Sequence, residues 1–263
     1  MEFTDQMDRT FTLVNTPKRI ISLVPSQTEL LYDLGLEDAI VGITKFCVHP
    51  YHLKSTKTIV GGTKNIKLEK IKELQPDIIL CNKEENTKEI VETLEKLFPV
   101  HVSDVKNIEE SLEMITQYGE LFRCNTEASK INTKIRFHLK DFQEFVKDIP
   151  VQKVAYFIWR KPWMAAGKDT FINYLLHLCK FENIYESHGR YPEVEIKKIR
   201  LQGDPDVVML SSEPYPFKEE HAFELGRCTH HAKTVFVDGE YFSWYGSRLA
   251  KAFTYFKKLH ESL

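Results

Sequence analysis

Cys47-x-His49-x-x-His52 puts one soft and two borderline metal ligands on a single short stretch of chain. A thiolate and an imidazole so close together can ligate a transition metal directly or axially. The spacing lies outside the usual structural zinc patterns, and no second cysteine pair accompanies it. The alternative is a buried thiol beside two solvated histidines. A second set is acidic: Glu84, Glu85 and Glu213 stand in polar loops that follow similar apolar runs. Paired carboxylates serve general acid–base chemistry, and they equally hydrogen-bond a polar ligand. Arg160 and Arg248 can clamp a carboxylate or phosphate bidentately, or act as structural ion-pair partners. The third set is aromatic. Tyr241, Phe242, Trp244 and Tyr245 fall between a strand ending at Asp238-Gly239 and a helix pattern that begins at about Ser247. A loop of that kind suits a flat, partly apolar ligand, because ligands of open α/β sheets sit at strand C-terminal ends. Its plain alternative is an aromatic plug over the core. His230 and His231 read as surface residues. No G-x-S-x-G, P-loop or G-x-G-x-x-G motif occurs, so neither a nucleophile elbow nor nucleotide use is indicated.

The elements that must position these groups follow from the bulk pattern. The chain has 263 residues, 42% of them hydrophobic and 28% charged, with a net charge of −2. That composition describes a globular protein with a sizeable core, without the global field that recruits nucleic acid or an anionic membrane. No apolar run is long enough to span a bilayer. Met1 to Arg9 carries acids and no apolar segment of the secretory type. Five widely spaced cysteines without a C-x-x-C fit reduced thiols and lean toward a cytoplasmic protein as encoded.

Residues 1–17 alternate as an edge hairpin, and Ile20 to Val24 reads as a buried strand. Ser26 and Glu29 predict a capping box for the next helix, which Gly35 ends. Strands at 39–43, 75–80 and 100–102 alternate with helices near 68–74, 87–97 and 108–122, the signature of a parallel, doubly wound sheet. Residues 126–148 then run for about six turns without Gly or Pro, an amphipathic helix of roughly 30–35 Å.

An internal echo flanks that helix. Leu68 to Glu85 and Ile196 to Glu213 both read as a short basic helix, a Pro-Asp turn, a four-residue apolar strand and a polar loop with Glu. The strand, loop and helix at 20–35 pair likewise with 153–179. The expected fold is therefore α/β: two doubly wound parallel-sheet lobes, residues 1–124 and 150–263, joined by one long α-helix at 125–149. Equivalent loops of twin lobes are expected to face one cleft. One wall would carry Phe46 to His52 and Asn82 to Asn86, including Glu84. The other would carry Trp159, Arg160, Trp163, Met164, Tyr191, Glu213, Tyr215, Trp244 and Tyr245, with Arg248 helping to fix orientation. All three tryptophans fall on the second wall.

Pro25-Ser-Gln-Thr-Glu-Leu, a helix ending Leu-Gly-Leu-Glu and then Val-Gly-Ile-Thr resemble the opening of the BtuF-like substrate-binding proteins, the vitamin B12 and iron-siderophore receptors of ABC importers. Val60-Gly-Gly, the Gln-Pro-Asp strand, Gly167-Lys168 and Asp238-Gly-Glu-Tyr-Phe242 match as well, from about residue 19 to the end. The resemblance implies the helical-backbone metal receptor type of fold and a non-enzymatic, monomeric protein. Its bound ligand would be a corrinoid or a ferric chelate such as an iron-siderophore or haem, and no covalent cofactor is implied. It also implies a periplasmic or membrane-associated location and an ABC permease as partner. By position, pocket residues would be Phe46, Met164 or Trp163, Tyr191, Glu240 and Trp244. Thr63 and Asn82 replace two aromatic positions of the corrinoid receptor. Glu69 occupies the first lobe's permease-docking position, whereas Lys197 and Lys198 surround the second, where like charges would repel the permease. The rival reading is a cytosolic enzyme or metal-cofactor handling protein on the same scaffold, using Cys47, His49 and the glutamates.

Overall fold

Short β-branched and leucine-rich runs, each closed off by a Pro-Asp, Gly or capping residue, give two separate parallel sheets. The computed structural model describes residues 1–263. The chain divides into two compact units: residues 1–136 with 245–249, and residues 137–244 with 250–263.

In the first unit, β1 (Glu2–Thr4) and β2 (Thr10–Thr12) pair antiparallel as a hairpin, with Phe3 opposite Phe11. There follow β3 (Ile20–Ser22), α1 (Pro25–Asp33), β4 (Ile40–Ile43), α2 (Leu53–Thr56), β5 (Thr58–Ile59), α3 (Leu68–Leu74), β6 (Ile78–Asn82), α4 (Lys88–Leu94), β7 (Val100–Ser103) and α5 (Ile108–Leu121). The strand order is β5-β4-β3-β6-β7, parallel throughout. β3 and β6 are buried along their whole length, as continuous apolar runs covered on both faces must be. Thr87 and Asn107 cap α4 and α5 by accepting from the backbone N–H groups of Ile90 and Glu110.

α6 (Asn125–Val146) runs through the division at residue 136. In the second unit come β8 (Gln152–Trp159), β9 (Met164–Ala165), α7 (Phe171–Leu178), β10 (Phe181–Asn183), β11 (Val207–Ser211), α8 (Glu219–Gly226), β12 (Lys233–Val237), α9 (Gly239–Ser243) and α10 (Leu249–Ser262). Here β10-β8-β11-β12 are parallel, and β9 adds antiparallel to β8. Phe142 of α6 is fully buried against Phe253 and Phe256 of α10, with ring centroids 5.8 and 5.9 Å away.

In both sheets the chain winds outward from a central strand in one direction and then in the other. The reversal falls between β3 and β6 in the first unit, and between β8 and β11 in the second. Loops leaving the C-terminal ends of such a strand pair diverge and leave a crevice, the usual ligand site of open α/β sheets.

Three local expectations are corrected. Ser26 does not cap α1: Val24 is the N-cap with no side-chain bond, Pro25 opens the helix, and Glu29 is engaged by Arg248. Pro is pre-shaped for the first helical position and has no N–H to satisfy there, so a side-chain cap is not needed. The second copy of the short basic helix is only a 3-10 turn, Ile196–Lys198. The loop after Asp238 is partly helical as α9, with the Asp238 side chain accepting from the Glu240 N–H.

Candidate functional site

The second unit places aromatic side chains at its reversal point. Trp159 is the last residue of β8 and is 39% exposed. The loop after β11 brings Tyr215 edge-on to it, with ring centroids 5.4 Å apart. Tyr215 in turn packs on Phe217 at 4.8 Å, and Phe217 stacks on Trp163 at 5.6 Å with the planes only 12° apart. These four rings make one continuous platform, and such offset and edge contacts are the favoured aromatic geometries. Arg160 lies against it, its guanidinium 5.7 Å from the Trp163 ring, and forks onto Glu224 at 3.2 and 2.7 Å. Met164 pairs with Trp159 across β8 and β9 and is half-buried, as is Tyr191. The buried His221 backs the platform at 5.5 Å from Tyr215 and 5.7 Å from Phe217. His221 and Glu224 were missed in the sequence. Their spacing of three on α8 puts them on one helical face, and that was the available signal.

Trp244 stands differently. Its indole is 6% exposed, and its Nε1–H donates to Glu213 Oε1 at 2.8 Å. The Ser243 hydroxyl donates to the same oxygen at 2.8 Å. Burial lifts the Glu213 carboxyl above the usual carboxylate range, and the neighbouring Glu240 and Asp238 add to the rise. The two hydrogen bonds, which favour the charged form, pull the other way. Glu240 is half-buried at the start of α9. Trp159, Trp163 and Tyr215 are thus brought together, whereas Trp244 is buried on Glu213.

In the first unit Phe46, after β4, is 49% exposed, and Tyr51 in the same stretch is more exposed still. The Lys45 ammonium lies 4.9 Å from its ring centroid, and an added Cβ at Gly62 would sit 3.1 Å from that ring. Glu84 lies at the reversal point, after β6, half-buried. Asn82 is buried rather than offered to a ligand. Its Nδ2 donates to Ser103, and its Oδ1 accepts from the Glu84 and Glu85 N–H groups, so it shapes the loop that carries the acids.

Three further expectations change. Cys47 is fully buried, with its Sγ 3.1 Å from the Thr28 hydroxyl and 3.2 Å from that of Thr44. Burial raises its thiol pKa, which opposes the thiolate a metal requires. No cluster of three or more His, Cys, Asp or Glu side chains gathers to hold a metal, and the enclosed Cys47 thiol is not offered to one. Arg248 does not reach outward to orient a ligand. It is buried in the first unit on Glu29, with Nε and Nη2 donating at 2.7 and 3.1 Å. Tyr245 is buried beside it, accepting from Gln27 Nε2 at 3.2 Å, while Gln27 also accepts from Tyr118. The Tyr245 phenol is pushed up by burial.

Two parallel-sheet units, the second with a ring platform at its strand reversal, define an open-sheet α/β protein. Residues 20–225 match the family described as periplasmic binding protein. The chain belongs to that family. It is 30% identical over 214 residues to an uncharacterized ABC transporter substrate-binding lipoprotein, YvrC of Bacillus subtilis, covering 78% of this chain and 67% of that one. It is 26% identical over 190 residues to the vitamin B12-binding protein of Vibrio vulnificus, covering 70% and 68%. Among solved structures it is similar to the periplasmic vitamin B12 binding protein BtuF of Vibrio cholerae, with a TM-score of 0.80 at 22% identity over 94% of this chain and 99% of the other. The two-lobed BtuF-like α/β fold expected from the sequence is the fold observed.

Proposed function

We propose that this protein binds a metal chelate of the corrinoid class and delivers it to an ABC-type permease. The observation that carries this reading is the Trp159–Tyr215–Phe217–Trp163 platform at the strand reversal of the second unit, where an open α/β sheet takes its ligand. A planar macrocycle with apolar edges buries the most surface against such rings, and the rigid packing beneath them limits the freedom lost on binding. Trp159 and Tyr215 supply ring faces, and Met164 and Tyr191 flank them within the same unit. The vitamin B12-binding relative supports a corrinoid over haem or a ferric siderophore. The YvrC relative supports the permease.

Docking would use one exposed acid from each unit. Glu69 pairs with Lys72 at 2.9 Å. In the second unit the position equivalent to Glu69 is Lys197, and the neighbouring Glu195, paired with Lys198 at 2.9 Å, would serve in its place.

The test is a titration of tryptophan fluorescence with cyanocobalamin, haemin and a ferric siderophore. All three tryptophans lie in the second unit. Saturable quenching by cyanocobalamin whose affinity weakens about five- to twelvefold in Trp159→Ala is expected, since a ring contact of this kind is worth about 1–1.5 kcal/mol. Saturation unaffected by Trp159→Ala and by Tyr215→Ala would refute the platform as the site.

A further inference from the structure

Glu213 links two segments of the second unit, the loop after β11 and the 239–244 stretch. Its backbone leads directly into Pro214-Tyr215, the start of the platform loop. Its side chain reaches the other way, where one oxygen accepts from both Ser243 and Trp244 at the end of α9. Further contacts shape and join the same segments. The Ser211 hydroxyl donates to the Glu213 carbonyl at 2.6 Å, and the Gly239 N–H donates to the Ser212 hydroxyl at 3.0 Å. Gly239 leaves room for the Glu213 stem: a Cβ there would collide with the Ser211 hydroxyl and come within 2.8 Å of Glu213 Cγ. Behind this, Tyr156 of β8 donates to the Ser211 hydroxyl, and the Tyr255 phenol of α10 accepts from the Asp238 N–H.

We propose that Glu213 is a positioning residue whose carboxylate clamps Trp244 and Ser243 to the platform loop and so makes the pose of Tyr215 depend on protonation. The inference rests on the reading of that platform as the ligand site. Both donors converge on a single oxygen, an arrangement that favours the charged carboxylate. Burial and the carboxylates Glu240 and Asp238 on the 238–243 stretch oppose that charge, while the neutral phenols of Tyr156 and Tyr255 are held on the Ser211 hydroxyl and the Asp238 N–H. A carboxylate held between such opposed influences changes state within an accessible pH range, and taking up a proton weakens two charge-assisted hydrogen bonds at once.

The experiment needs no ligand, so its failure is distinct from failure of the binding reading. In a Trp159→Phe, Trp163→Phe background, Trp244 is the sole tryptophan. Its emission is expected to titrate with a midpoint above the ordinary glutamate value of about 4.3. Glu213→Gln should abolish that titration, and Ser243→Ala should move the midpoint higher, because the charged form loses one of its donors. A flat pH profile in the background protein, or a titration unchanged by Ser243→Ala or by Glu213→Gln, would overturn the proposal. In a second arm, cyanocobalamin affinity should fall severalfold through the same pH window in the otherwise native protein and be pH-independent in Glu213→Gln. An identical pH dependence in both would equally overturn it.

Discussion

Arg248→Met removes one half of a buried ion pair. The Arg248 and Glu29 side chains are only 7% and 8% accessible, and they meet through two hydrogen bonds of 2.7 and 3.1 Å. Both residues belong to the first unit, although 219 positions separate them in sequence. Truncating the arginine leaves the Glu29 carboxylate enclosed without its counter-charge, a change that costs about 3–5 kcal/mol. Folded domains are stable by only about 5–15 kcal/mol, so the loss is a large fraction of what the first unit has. The companion variant Glu29→Leu/Arg248→Met replaces both charges with apolar groups and should be less destabilised than Arg248→Met alone. The assay is urea unfolding followed by far-UV circular dichroism, with hydrogen exchange of the β3 and β6 amides to localise the effect. Tryptophan emission would not serve, because every indole lies in the second unit. A single-variant loss below about 1 kcal/mol, or a double variant whose cost is the sum of the two singles, would refute the assignment of this pair as the fastening of residues 245–249.

Three further outcomes are expected. Burial raises the Glu213 pKa, so the folded state holds that proton more tightly than the unfolded chain. Its stabilising contribution is therefore complete below the ordinary glutamate range and is lost as pH rises through the folded-state value. The stability difference between wild type and Glu213→Gln should change across that window, and a pH-independent difference would contradict it. Gly61 has φ +127°, and a Cβ there would meet the Asn65 carbonyl and lie 2.8 Å from Ile66 Cα. Gly61→Ala should accordingly cost more than about 2 kcal/mol by denaturant unfolding, and a neutral result would count against the tight turn. Glu69→Lys and Glu195→Lys should each weaken association with the permease without altering chelate affinity, read by pull-down and by ligand titration. Retained association in the double variant would remove these acids from the docking surface.

Much of the architecture was legible because the strands are short, apolar and punctuated. Ile20-Ile-Ser and Val207-Val-Met-Leu are each preceded by a turn and followed by a helix, and Gly35, at φ +78°, ends α1 as its sequence position implied. What escaped is what depends on partners distant in sequence. Arg248 next to an aromatic loop reads equally well as a ligand clamp or an ion-pair partner, and only folding brings Glu29 beside it. Cys47 and His49 have metal-ligand chemistry, but Thr28 and Thr44 close over the thiol. Ser26 has capping chemistry, but Pro25 already begins the helix. The rings of Trp159 and Tyr215 were expected together, and the reversal of strand order between β8 and β11 is the physical reason they meet.

The central claim, that the platform takes a metal chelate, is tested most directly by native mass spectrometry of the protein after incubation with an equimolar mixture of cyanocobalamin, haemin and a ferric siderophore. One corrinoid retained per chain, and lost in the combined Trp159→Ala and Tyr215→Ala variant, is the predicted result. A spectrum showing only the bare chain, or a chelate held equally well by that variant, would contradict the account.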